Sequence, residues 1–158
     1  MLARPIQPSP APAPLPLAVH RALPYAPQTG ASLLELLLVG AEIAPPTAPG
    51  VVSYTEQLRQ LVAESGLERH VTFTGRRADV RELLAAADIF ALPSVDDPCA
   101  LAHIEAMAMA KPIVTVEAGG APELVEDGRT GLVGPADDSA QLAANLIDLI
   151  DDPVRARE

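Results

Sequence analysis

The sequence predicts an α/β fold, a Rossmann-like parallel sheet with helices on both faces. From residue 33 onward, short apolar runs that end at Gly or Pro alternate with longer segments whose apolar residues recur at helical spacing. Helix-capping residues stand at the joints between them. All 21 acidic side chains lie at or beyond Glu35, so the charged surface belongs to that same part of the chain.

Each element has its own warrant. Leu33–Val39 is apolar except for Glu35 and ends at Gly40, as a strand buried on both faces would. Residues 41–50, with Pro45, Pro46 and Pro49, read as a loop. Ser53 is placed to cap a helix with an apolar face of Tyr54, Leu58, Leu61 and Val62, and Gly66 to stop it. Val71 to Thr74 is a strand closed by Gly75. Asp79 opens a short helix through Val80, Leu83 and Leu84, and Ile89 to Leu92 is a strand ended by Pro93. Then come a helix over residues 101–109, a strand over 113–116, a short helix after Pro122 and a strand over 131–133. A last helix over 138–151 is expected to bury Leu142, Leu146, Ile147 and Ile150.

The first 32 residues differ. Pro10, Pro12, Pro14 and Pro16 alternate through a run that can neither sustain a helix nor donate a sheet ladder. This predicts a Pro/Ala-rich, largely disordered leader over 1–32 and one domain over 33–155. The leader lacks the continuous apolar stretch of a secretion signal.

Composition removes several function classes. With 21 acidic against 11 basic side chains the chain has no basic stripe for nucleic acid. No run approaches the roughly 20 apolar residues of a membrane-spanning helix. A single cysteine, Cys99, excludes an internal disulfide framework and a multi-cysteine zinc site. These features suit a cytoplasmic protein, soluble or peripheral to a membrane.

In such a sheet, ligands bind beyond the carboxyl ends of the strands. After the strand ending at Leu92 comes Pro93-Ser94-Val95-Asp96-Asp97-Pro98-Cys99-Ala100, then a helix carrying Glu105. A helix start offers free N–H groups and the positive end of the dipole to a phosphate. Asp97 before the helix and Glu105 inside it could bracket such a ligand, since carboxylates accept hydrogen bonds from sugar hydroxyls. After the next strand, Gly119-Gly120 permits a sharp turn or close approach of backbone to ligand. Each residue also has an ordinary reading: Glu105 a solvated helix glutamate, Asp97 an N-cap, His103 a core or surface histidine, Lys111 a side chain snorkelling past its helix.

Taken together, Asp97-Pro98-Cys99-Ala100-Leu101-Ala102-His103-Ile104-Glu105-Ala106-Met107-Ala108, Lys111-Pro112-Ile113-Val114 and Gly119-Gly120-Ala121-Pro122-Glu123-Leu124-Val125 resemble the C-terminal half of group 1 (GT4-like) retaining glycosyltransferases of the GT-B fold. Leu36 to Gly40, Val71 to Gly75, Asp88 to Ser94 and Asp127 to Val133 agree in order and spacing. The likeness spans about residues 34 to 155.

The resemblance implies a nucleotide-sugar donor site. The family's paired acids fall on Asp97, one methylene shorter than the usual Glu, which would contact the transferred sugar, and on Glu105, which would hold the donor ribose. The N–H groups of Ala100 and Leu101 would meet the diphosphate, Arg77 in the Gly75-Arg76-Arg77 turn would lie near the base, and Gly119 and Gly120 would complete the pocket. The donor, a UDP- or GDP-sugar, is a substrate; no cofactor and no metal are expected. The family's opening strand, its loop with a diphosphate-clamping Arg and Lys, and its acceptor-binding N-terminal domain have no counterpart in the sequence. The expectation is therefore an incomplete C-terminal half of a GT-B fold, truncated at its N-terminus and marginally stable. The alternative is a non-catalytic nucleotide-binding module, or a half-enzyme that needs a separate N-terminal glycosyltransferase domain. A dinucleotide-dependent oxidoreductase would need G-x-G-x-x-G after the first strand, and Gly40-Ala41-Glu42-Ile43-Ala44-Pro45 does not supply it.

Overall fold

The structure, a computed structural model, describes residues 17–22, 33–40, 52–95, 97, 101–152 and 154. Its strands are β1 (Leu17–Ala22), β2 (Leu33–Val39), β3 (Val71–Gly75), β4 (Ile89–Leu92), β5 (Ile113–Val116) and β6 (Leu132–Gly134). Its helices are α1 (Tyr54–Glu64), α2 (Val80–Ala86), α3 (Leu101–Ala108), α4 (Ala121–Leu124) and α5 (Ser139–Asp151). The sheet order is β3-β2-β1-β4-β5-β6. The chain winds outward through β2 and β3, then crosses to β4 and winds the other way, the doubly wound plan expected of a Rossmann-like fold.

Strands β4 and β5 are buried along their whole length. Their side chains alternate between two cores. On one face Phe90, Leu92 and Ile113 pack with Leu84, Ala106 and Val125 from the α2, α3 and α4 side. On the other, Ile89, Ala91, Val114 and Leu132 pack with Leu149 of α5. A side chain buried in this way stabilises the fold by about 1.5–3 kcal/mol, so these two layers hold the sheet and its helices together.

Four expectations are corrected. Residues 17–22 do not belong to a disordered leader: they form β1, which lies between β2 and β4. It runs antiparallel to both, with Leu17 beside Leu38 and Ala91. Its carboxyl end therefore lies at the sheet edge opposite the carboxyl ends of the parallel strands. α1 buries no residue and Leu61 is 58% exposed, because this helix sits against the edge strand, with the Arg59 guanidinium 4.4 Å over the Phe73 ring. In α5, Leu142, Leu146 and Ile150 pack half-buried against the core as expected, but the fully buried residues are Asn145 and Leu149, and Ile147 is 55% exposed. Asp79 precedes α2 without capping it, because its carboxylate is taken by Arg77. Ser53 and Asp138 do cap, accepting from Glu56 N–H and Gln141 N–H. The loop over 41–50, Cys99 and the rest of the leader lie outside the described residues.

Candidate donor site

The loops after β4 and β5 meet backbone to backbone. Gly120 N–H donates to the Asp97 carbonyl at 3.0 Å. Gly119 has φ +55°, and a Cβ on it would stand 2.1 Å from Asp97 O. Only glycine accepts both the left-handed conformation and that approach. Asp97, Gly119 and Gly120 thus form one corner just ahead of α3, and Leu101, the exposed first residue of α3, follows it. Ala100 lies outside the described residues.

Glu105, the fifth residue of α3, faces a second feature. A cavity of about 210 Å³ lies at the carboxyl ends of β2 and β3, with residues of α2, α3 and the middle of β4 in its wall. Val39 and Gly40 floor it, Val80, Leu83, Leu84, Phe90 and Ala102 form an apolar wall, and Arg76, Arg77 and Glu105 supply the polar groups. An apolar wall with few charged groups is the usual character of a small-molecule site. Arg77 is committed: its Nε donates to Asp79 Oδ1 at 2.7 Å and a second guanidinium N–H meets Oδ2. The pairing raises the Arg77 pKa and holds the Asp79 carboxyl below its ordinary range. Arg76, exposed beside it on the same rim, is the second guanidinium of the cavity.

One polar side chain departs from its sequence reading and another takes the core place its reading allowed. Lys111 does not simply extend past its helix: its Nζ donates to the carbonyls of Ala85 at 3.1 Å and Ala87 at 2.8 Å, closing the C-terminus of α2 where a cation is favoured. His103 is 1% exposed and stacks edge-on against Phe90 at 5.8 Å. Its Nε2 lies 2.9 Å from Thr115 Oγ1, and that hydroxyl donates its one proton to the Leu92 carbonyl at 3.0 Å. With the hydroxyl proton committed to Leu92, Nε2 is the protonated nitrogen of the neutral ring, which leaves Nδ1 as a buried acceptor without a partner among the described residues. Burial lowers the His103 pKa, and the Asp97 charge opposes that. The sequence carried a signal for this network, a histidine in an apolar helix and a threonine inside the apolar strand β5. Gly40, Val80, Leu83, Phe90 and Arg76 were missed as cavity residues because they come from four separate elements.

Among the described residues, no three His, Cys, Asp or Glu side chains are grouped to hold a metal. No described helix is long and apolar enough to cross a membrane.

The sequence profile of the glycosyl transferases group 1 matches residues 18–152. This chain belongs to the group 1 glycosyltransferases. The alpha-maltose-1-phosphate synthase of Mycolicibacterium smegmatis is 39% identical over 129 residues, which is 78% of this chain and 33% of that enzyme. The D-inositol 3-phosphate glycosyltransferase of Corynebacterium efficiens is 35% identical over 122 residues, covering 75% of this chain and 27% of its own length. The chain thus spans about a third of the curated relatives it matches. Among solved structures, Anabaena HepE in complex with UDP-glucose superimposes with a TM-score of 0.67 at 36% identity, covering 77% of this chain and 32% of HepE. The C-terminal domain of a group 1 glycosyltransferase from Francisella tularensis, LpcC, superimposes with a TM-score of 0.61 at 29% identity, covering 70% of this chain and 58% of that domain. The group 1 chain described here accordingly has the fold of a GT-B C-terminal domain.

Proposed function

We propose that this glycosyltransferase domain binds a nucleotide diphospho-sugar and serves as the donor-holding half of a retaining transferase. The observation that carries the reading is the cavity at the carboxyl ends of β2 and β3, with Glu105 of α3 among its lining groups. A base would rest on the apolar wall formed by Val80, Leu83 and Phe90, with the ribose hydroxyls on Glu105. The diphosphate would follow along the start of α3 to the N–H groups of Ala100 and Leu101. The sugar would then lie in the corner of Asp97, Gly119 and Gly120, with Asp97 as the group touching it. UDP-glucose in the related HepE structure supports a UDP-sugar, and the GDP-mannose-dependent mannosyltransferases among the relatives support a GDP-sugar. Arg77 would act through the turn it fixes with Asp79, leaving Arg76 to meet the ligand. The reading uses no metal and no cofactor, so chelator should leave binding unchanged.

The acceptor side would come from a separate N-terminal glycosyltransferase domain. A second reading, binding without transfer, is favoured by the direction of β1, whose carboxyl end lies at the edge of the sheet opposite the site. Thermal shift with UDP-glucose and a GDP-sugar tests donor binding: a rise in Tm that Glu105→Ala removes is expected. No shift with either sugar nucleotide would sink the reading. Release of UDP or GDP on adding the N-terminal domain and an acceptor separates transfer from binding alone.

A further inference from the structure

His103 Nδ1 is a buried acceptor that the donor-site contacts do not use. Leaving such a group unpaired is costly, and native structures contain few of them. Its position is constrained. His103 is the third residue of α3, so its ring belongs to the first turn of that helix, and the Asp97 charge ahead of the helix reaches it. Nε2 is tied to Thr115 and the ring is held edge-on by Phe90, so the imidazole cannot turn Nδ1 elsewhere without breaking the bond to Thr115.

The surrounding charges are few. β4 and β5 face the ring with Phe90, the Leu92 carbonyl and the Thr115 hydroxyl, none of which titrates. The loop before α3 supplies Asp97, whose charge reaches the ring. Glu105 on α3 itself and Glu123 on α4 are exposed. Protonating Nδ1 disturbs none of the existing bonds, because Nε2 already donates to Thr115. Burial of the resulting cation and the positive end of the α3 dipole oppose it, and a second anion at the same helix start would offset both costs.

We propose that His103 is the proton-accepting part of an anion site at the start of α3, so that a diphosphate seated on that terminus binds together with a proton at Nδ1. This rests on the donor-site reading above and adds a proton to it. Binding that takes up a proton strengthens as pH falls, by up to about tenfold per pH unit for one proton. The imidazolium then faces Asp97 and the diphosphate.

The test is isothermal titration of the full chain with UDP-glucose. Its diphosphate is a diester that does not ionise between about pH 5 and 8, the range in which histidine charges. The native chain should bind several-fold more tightly per unit of falling pH through this range. It should also take up a proton, read from the dependence of the heat on buffer ionisation enthalpy. H103Q keeps an amide N–H for Thr115 and H103N places an amide where Nδ1 stands. Neither titrates, and both should bind with flat pH dependence and no proton uptake. Imidazole nitrogen NMR of the native chain gives a readout without mutation: UDP-glucose should move the His103 titration to higher pH. Affinity flat with pH in the native chain, pH dependence surviving in H103Q or H103N, or an unmoved His103 titration overturns the inference and leaves donor binding standing. No binding at any pH overturns both.

Discussion

Replacing Gly119 by Ala should separate the two loops that form the corner around Asp97, and the cost can be built from three parts. Alanine at φ +55° costs about 1 kcal/mol. The new Cβ would stand 2.1 Å from Asp97 O and 2.9 Å from its carbonyl carbon, both rigid backbone atoms, so the loops must part. Overpacking of that kind costs about 1–3 kcal/mol. Parting breaks the 3.0 Å bond from Gly120 N–H to Asp97 O, worth about 1 kcal/mol. The sum is about 3–5 kcal/mol. Gly128 provides an internal control: it has φ +74° and nothing within 4 Å of its would-be Cβ, so Gly128→Ala should cost only the conformational part, about 1 kcal/mol. Urea unfolding of both variants should give a difference of about 2–4 kcal/mol, with UDP-glucose binding weakened in Gly119→Ala alone. A Gly119→Ala chain within about 0.5 kcal/mol of Gly128→Ala would refute the close approach of the loops.

Lys111→Met keeps the apolar stem but removes both bonds to the α2 carbonyls, and should cost about 1–2 kcal/mol in urea unfolding while leaving UDP-glucose affinity intact. A variant as stable as the native chain would show that these bonds contribute nothing. Thr115→Val orphans the buried Nε2–H of His103 and should cost about 1–3 kcal/mol. Adding His103→Leu should recover part of that loss, because both partners are then apolar; strictly additive losses would argue against the network.

Much of the fold was legible along the chain. Strands β4 and β5 are continuous apolar runs because both faces are covered, and Gly66, Gly75 and Gly119 stand where φ is positive. Asp97, Gly119 and Gly120 could be paired from sequence, since neighbouring parallel strands bring their following loops together. The cavity could not, because Val39, Arg76, Leu83, Phe90 and Glu105 come from five elements and meet only when the sheet is wound. Arg77 was named through the family resemblance; the structure adds that Asp79, two residues away, pairs with its guanidinium at the cavity rim. The leader was misread over residues 17–22 because proline spacing speaks to local conformation, whereas β1 is held by ladders to β2 and β4.

The sequence by itself determined the alternation of strands and helices, the glycine turns, and the family to which the spaced acids belong. These follow from side-chain periodicity and backbone sterics, which act over a few residues. Only the tertiary structure decided the direction of β1, the closing of α2 by Lys111, the pairing of Arg77, and the burial of His103 with one nitrogen unpartnered. Each of these depends on which groups the wound sheet brings within hydrogen-bonding distance, and on which polar atoms it removes from water.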